Sequence, residues 1–152
     1  MIAAATIGLS YLTQLVGQLF GYEFPAQANI DIVRRCAGWN LAFLYLGVQV
    51  VLIFPAIEEI LFRYLLFKLP SKHIVLRPKL VITAVISSIL FSAAHYIYQP
   101  FPDSAFLALG FFGLAQCYLY RRTDRLWCPI LNHALFNLTN LVLLLTIPES
   151  LI

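Results

Sequence analysis

The sequence predicts an all-α fold, a polytopic transmembrane helical bundle of about five spans. Three observations predict it. First, 61% of the 152 residues are hydrophobic and only 11% are charged, with a mean hydropathy of +0.84, too little polar surface to enclose a water-soluble core. Second, the apolar runs are about 20 residues long, the length of a membrane-crossing helix, and lack the alternation of roughly 10-residue β-barrel strands. Third, the few charges gather in short stretches between those runs, apart from one cluster inside a run. Helices and closed barrels alone can satisfy their backbone within lipid, so an open sheet is excluded. The three cysteines, Cys36, Cys117 and Cys128, are scattered and unpaired in sequence, which argues against a disulfide framework or a zinc ribbon.

The first 37 residues are predicted as an N-terminal helix and loop. Residues 2–20 are apolar but carry Thr6, Ser10, Thr13, Gln14 and Gln18, and no basic segment precedes them, so a first span is favoured over a signal peptide. Gly21, Pro25, Asp31, Arg34 and Arg35 then mark a loop. From Trp39 to Leu69 the chain is apolar for about 46 Å of helix, long for one upright span. Pro55 divides it, giving either a kinked, tilted helix or a span followed by a half-helix. Residues 80–98 form the next span, ending in the interfacial tyrosines Tyr96 and Tyr98. A helix over about 104–120 follows, with Asp103 or Ser104 as its cap and Ala105, Ala108 and Ala115 on one close-packing stripe. The last span runs from about Leu126 to Ile147.

The net charge of +3 sits in short loops, so it reports topology rather than a nucleic-acid partner. Lys68, Lys72, Arg77 and Lys79 make one basic loop, and Arg121, Arg122 and Arg125 a second. The positive-inside rule places loops 68–79 and 121–125 in the cytoplasm of a multi-pass protein of the cell (inner) membrane, with the lipid bilayer as its first partner. Whether Arg34 and Arg35 share that side depends on how the 39–69 segment crosses.

The charges inside the long run are Glu58, Glu59 and Arg63. A charge at the bilayer centre costs about 2.5–3.5 kcal/mol on insertion scales, so each needs a partner or a task. Glu59 and Arg63 are four apart and share a helix face, whereas Glu58 is rotated about 100° away, with its carboxylate free. Ser88, Ser92 and His95 recur at helical spacing and suggest a small, polar face leading to the imidazole. His133, Asn137 and Asn140 form a second polar stripe, which must face the bundle interior. Glu58 and His95 together can deprotonate a water, and His133 and Asn137 can present N–H donors to a developing oxyanion. Glu59 with Arg63 reads either as interhelical glue or as part of the chemistry.

These residues also carry a resemblance. Glu58-Glu59-Ile-Leu-Phe-Arg63 resembles the EExxxR motif, Phe91-Ser-Ala-Ala-His95 the FxxxH motif and His133-Ala-Leu-Phe-Asn137 the HxxxN motif of the CPBP family. That family holds the type II CAAX prenyl endopeptidases and bacterial Abi or bacteriocin-processing relatives. The stretch from Gly110 to Asn137 resembles the family's connection between the second and third motifs, and the core is expected over residues 38–152. The resemblance implies an intramembrane endopeptidase of glutamate type. In it Glu58 and His95 activate water, His133 and Asn137 stabilise the oxyanion, and Glu59 and Arg63 support the first helix. It implies a protein or peptide substrate in the membrane, with prenylation an open point because only one span precedes the first motif here. No cofactor is expected; the alternative is a zinc held by Glu58, His95 and His133, a His₂Glu set without an HExxH motif. Two other function classes stay open: a transporter or proton-relay subunit, and a non-catalytic immunity or scaffold protein.

Overall fold

The computed structural model describes residues 41–72, 77–98 and 103–146, which form four helices. These are α1 (Leu41–Ser71), α2 (Arg77–Tyr98), α3 (Asp103–Thr123) and α4 (Trp127–Thr146). The helix and loop expected over residues 1–37, and the capping side chains expected at Asp103 and Ser104, lie outside what is described. Three of the four helices, α1, α2 and α4, are long and apolar enough to cross a membrane. The all-helical expectation therefore holds among the described residues, with three candidate spans established.

Pro55 does not divide α1. The helix runs unbroken from Leu41 to Ser71 and absorbs the proline by changing its winding. Gln49–Ile53 and Glu59–Lys68 are π-helical, so the Phe54 N–H reaches back five residues to the Gln49 carbonyl instead of four. Proline removes a donor and crowds the preceding turn, and a locally widened helix relieves both.

The distribution of polarity is that of a protein whose solvent is lipid. Leu41, Tyr45, Ile82, Ile97, Leu107 and Phe111 all stand more than half exposed. The buried set instead includes Glu59, Arg63, Ser87, Ser88, Ser92, Gln116 and His133. In water such an arrangement would expose its driving force and bury its costs; in hydrocarbon the signs reverse. Two small apolar clusters complete the interior, Phe62 with Phe91 and Phe112, and Phe67 with Cys117 and Tyr120.

Close packing of α2 on α3 comes from small residues at the contact. A Cβ on Gly113 would stand 2.9 Å from the Ser88 Cβ and 3.0 Å from its Cα, so hydrogen alone fits there. Ser92 donates to the Phe106 carbonyl at 2.6 Å, and Ser87 to the Phe62 carbonyl of α1 at 2.6 Å. Ser88 donates at 2.7 Å to the Ala84 carbonyl of its own helix. The Ser88–Ser92 stripe is thus the seam with α3, not a polar path to the imidazole. Helical spacing identified the face; the neighbour that covers it is a tertiary fact.

A short turn joins α3 to α4, with Asp124 at φ 53° and the Thr123 hydroxyl accepting the Arg125 N–H. Pro129 falls in the first turn of α4, where no intrahelical donor is required. Lys68 near the end of α1 pairs with Asp124, so the two basic stretches meet at one end of the bundle.

Candidate active site

Three helices bring the polar residues together. Glu58 and Glu59 come from α1, His95 from α2 and His133 from α4. At a rise of 1.5 Å per residue His95 stands about 24 Å from Lys79, but Glu58 only about 15 Å from Lys68. The two nevertheless meet. Phe62 packs with Phe91, and Leu80 packs against the cluster that holds Phe67, so a longer run of α2 is matched to a shorter run of α1.

The two glutamates are used differently. Both oxygens of Glu59 are engaged and the residue is fully buried. Its Oε1 accepts from His133 Nδ1 at 2.9 Å and from Gln116 Nε2 at 3.3 Å, and its Oε2 lies 3.1 Å from Arg63 Nε. Arg63 is equally buried and its guanidinium carbon lies 4.4 Å from the Phe91 ring centroid. Its charge is therefore balanced by the carboxylate, as an ion pair, and by a π face, while neither its Nε, its Nη atoms nor Glu59 Oε2 makes a hydrogen bond. Glu58, by contrast, makes no hydrogen bond within normal distance. Its Oε2 lies 3.8 Å from His95 Nε2 and 3.6 Å from His133 Nε2. Such separations are too long for a direct hydrogen bond, and a water hydrogen-bonded to both groups would bridge them from one side.

Both imidazoles are oriented through their other nitrogen. His95 Nδ1 lies 2.9 Å from the Phe91 carbonyl, which can only accept, so Nδ1 carries the proton and a neutral ring presents the Nε2 lone pair to Glu58. His133 Nδ1 is tied down in the same way, at 2.9 Å from Glu59 Oε1 in place of the carbonyl. Phe91 packs against both rings, with centroids 4.5 Å from His95 and 5.8 Å from His133, and Phe112 closes on His133 at 5.0 Å. Exposure divides the site in two. Glu58 and His95 keep about a third of their side-chain surface open, at 27% and 33%, whereas His133 keeps 3%.

Asn137, one turn beyond His133, donates from Nδ2 to the Val50 carbonyl at 2.8 Å, so one of its two N–H groups is committed to α1. Gln116 and Asn132 escaped the sequence reading. Gln116 is fully buried and saturated, donating to Glu59 and, at 2.8 Å, to the Pro129 carbonyl while accepting from Asn132 Nδ2 at 2.9 Å. A lone glutamine in an apolar helix was the available signal, since an amide is costly to leave in hydrocarbon.

For a metal, the donor types at Glu58, His95 and His133 suit zinc, and the anchored Nδ1 atoms are the usual supports of metal-binding histidines. Among the described residues, however, no three His, Cys, Asp or Glu side chains stand close enough together to hold an ion as they are.

Comparison with curated proteins and with solved structures gives no match. A family model does match: residues 39–139, which contain all three motifs and every side chain just described, fit the type II CAAX prenyl endopeptidase Rce1-like family, and the chain belongs to that family.

Proposed function

We propose that the chain is an intramembrane endopeptidase in which Glu58 is the general base. The supporting observation is the free carboxylate of Glu58 between two imidazoles whose other nitrogens are already tied down. A water between Glu58 Oε2 and His95 Nε2 gives its proton to the carboxylate as its oxygen attacks the scissile carbonyl carbon. The new C–O bond places negative charge on the carbonyl oxygen. The second N–H of Asn137 donates to that oxygen. His133 Nε2 joins it when the ring carries both protons, a cation whose charge the Glu59 carboxylate balances. Each such donor is worth about 3–4 kcal/mol in a dry site. Collapse breaks the C–N bond, and the proton held by Glu58 passes to the leaving amine, giving a new carboxylate and a new amine.

Membership of a protease family favours a peptide substrate over ion or proton flux. Prenylation of that substrate belongs to the same reading, as does a cytoplasmic location for the two basic loops. In this topology all four described helices cross, and a fifth span comes from the segment before Leu41. If zinc is bound, Glu58, His95 and His133 hold it and it supplies Lewis-acid activation of water, while the tethers at Phe91 and Glu59 still fix the imidazoles.

The test compares protein termini in membranes carrying the wild type with those carrying Glu58→Gln, with a chelator arm on the wild type. New termini that disappear with Glu58→Gln are expected. Identical termini at equal expression would overturn the peptidase reading and leave the transporter and non-catalytic alternatives. Loss of the termini on chelation alone would transfer the water-activating role to a metal.

A further inference from the structure

The Val50 carbonyl lies within α1, and its partner is a side chain from another helix. In a regular α-helix it would accept from Phe54, but the Phe54 N–H goes to Gln49 in the π register of this segment. The next donor in that register is residue 55, which is proline and has no N–H. Asn137 Nδ2 takes the vacant position at 2.8 Å. Pro55 is itself buried.

We infer that Pro55 is a positioning residue for Asn137: by leaving the Val50 carbonyl without a backbone donor, it makes that carbonyl the anchor for one Asn137 N–H. An unpaired carbonyl in the membrane interior holds a donor firmly, because nothing else nearby can satisfy it. A primary amide has two N–H groups in one plane. Fixing one fixes the direction of the other, the one given to the oxyanion. The catalytic consequence rests on that oxyanion reading of Asn137; the anchor itself does not.

Pro55→Ala restores a backbone donor whichever register the helix then takes. An α register returns Phe54 N–H to Val50, and a π register supplies the new N–H of residue 55. The side-chain amide of Asn137 is then displaced. Alanine is a better helix former than proline, so the variant is expected to fold.

The test uses the full chain in detergent. Amide exchange of the Asn137 side chain, read by nitrogen-15 NMR, is expected to be at least tenfold faster in Pro55→Ala than in the wild type. Equal protection in the two proteins would overturn the anchor. Turnover is read on a quenched fluorescent peptide spanning a cleavage site mapped from the new termini. Asn137→Ala is expected to lower kcat by about 100- to 1,000-fold, the usual loss for one oxyanion donor. Pro55→Ala lowers it roughly tenfold with KM within about twofold, and the double variant falls no further than Asn137→Ala alone. Additive losses in the double variant would overturn positioning through Asn137. Faster exchange together with full turnover in Asn137→Ala would support the anchor while rejecting the oxyanion reading on which its catalytic role depends.

Discussion

Glu58 and Glu59 are chemically identical neighbours separated in role by what surrounds them. Glu59 is held on both oxygens by His133, Gln116 and Arg63, and a carboxylate so occupied is a poor proton acceptor but a good orienting group. Gln116 is the least conspicuous member of that set. Replacing it with leucine leaves the Asn132 amide and one Glu59 oxygen without this partner, a cost of about 1–3 kcal/mol for buried groups losing a hydrogen bond. Gln116→Leu is therefore expected to lower the unfolding midpoint in detergent and to reduce kcat with little change in KM, because Glu59 then holds His133 less firmly. Unchanged turnover in a folded Gln116→Leu protein would show that Glu59 needs no support from α3. Glu59, Arg63, His95 and His133 were legible in the sequence as polar residues at helical spacing in apolar runs, and Glu58 as a charge in such a run with no partner on its own helix face. Gln116 and Asn132 were not, since neither has a polar companion three or four residues away on its own helix. Their partners lie across the bundle.

Among the elements, α2 and α3 depend most on a single missing side chain. The Gly113 contact with Ser88 is closer than real Cβ contacts tolerate, and the opposing atoms include backbone, which cannot rotate aside. Gly113→Val is expected to force the helices apart at a cost of about 1–3 kcal/mol, the usual range for overpacking. Gly110 and Gly47 serve as internal controls. A Cβ on Gly110 meets only the Ser92 hydroxyl at 3.8 Å, and one on Gly47 meets nothing within 4 Å. Alanine at either position is expected to be neutral or to stabilise by up to about 1 kcal/mol through helix propensity. Thermal unfolding of the three variants in one detergent checks the order, and a Gly113→Val midpoint equal to that of Gly110→Ala would refute the close-packing account. Helix lengths were legible from hydropathy, but the winding of α1 was not. A proline in a long apolar run permits a kink, a break or a π segment, and only the positions of the neighbouring donors select among them.

For the whole molecule, the described bundle is clasped at one end and more open at the level of Glu58. The clasp is the Lys68–Asp124 pair, which ties the end of α1 to the turn between α3 and α4, with Lys68 also 5.5 Å from the Tyr120 ring centroid. The hydrogen bond from Lys68, and then its charge, hold the Asp124 carboxyl below its ordinary value of 3.8. A lowered folded value means that the contribution is complete above 3.8 and is lost only as pH falls through the lower folded value. The clasp is therefore indifferent to pH across the neutral range. Salt is another matter, because an exposed pair is screened. Asp124→Asn removes the charge while retaining a residue that tolerates the positive φ of this turn. Tryptic cleavage after Arg121, Arg122 and Arg125 is expected to be several-fold faster in Asp124→Asn than in the wild type, at every pH from 6 to 9. Adding about 1 M salt should bring the wild type towards the variant, because the Debye length then shrinks to about 3 Å. If cleavage is equally fast in both proteins at low salt, the turn is held by its backbone bonds alone, of which Asp124 N–H to Tyr120 O at 2.8 Å is the shortest, and the charge pair only decorates it.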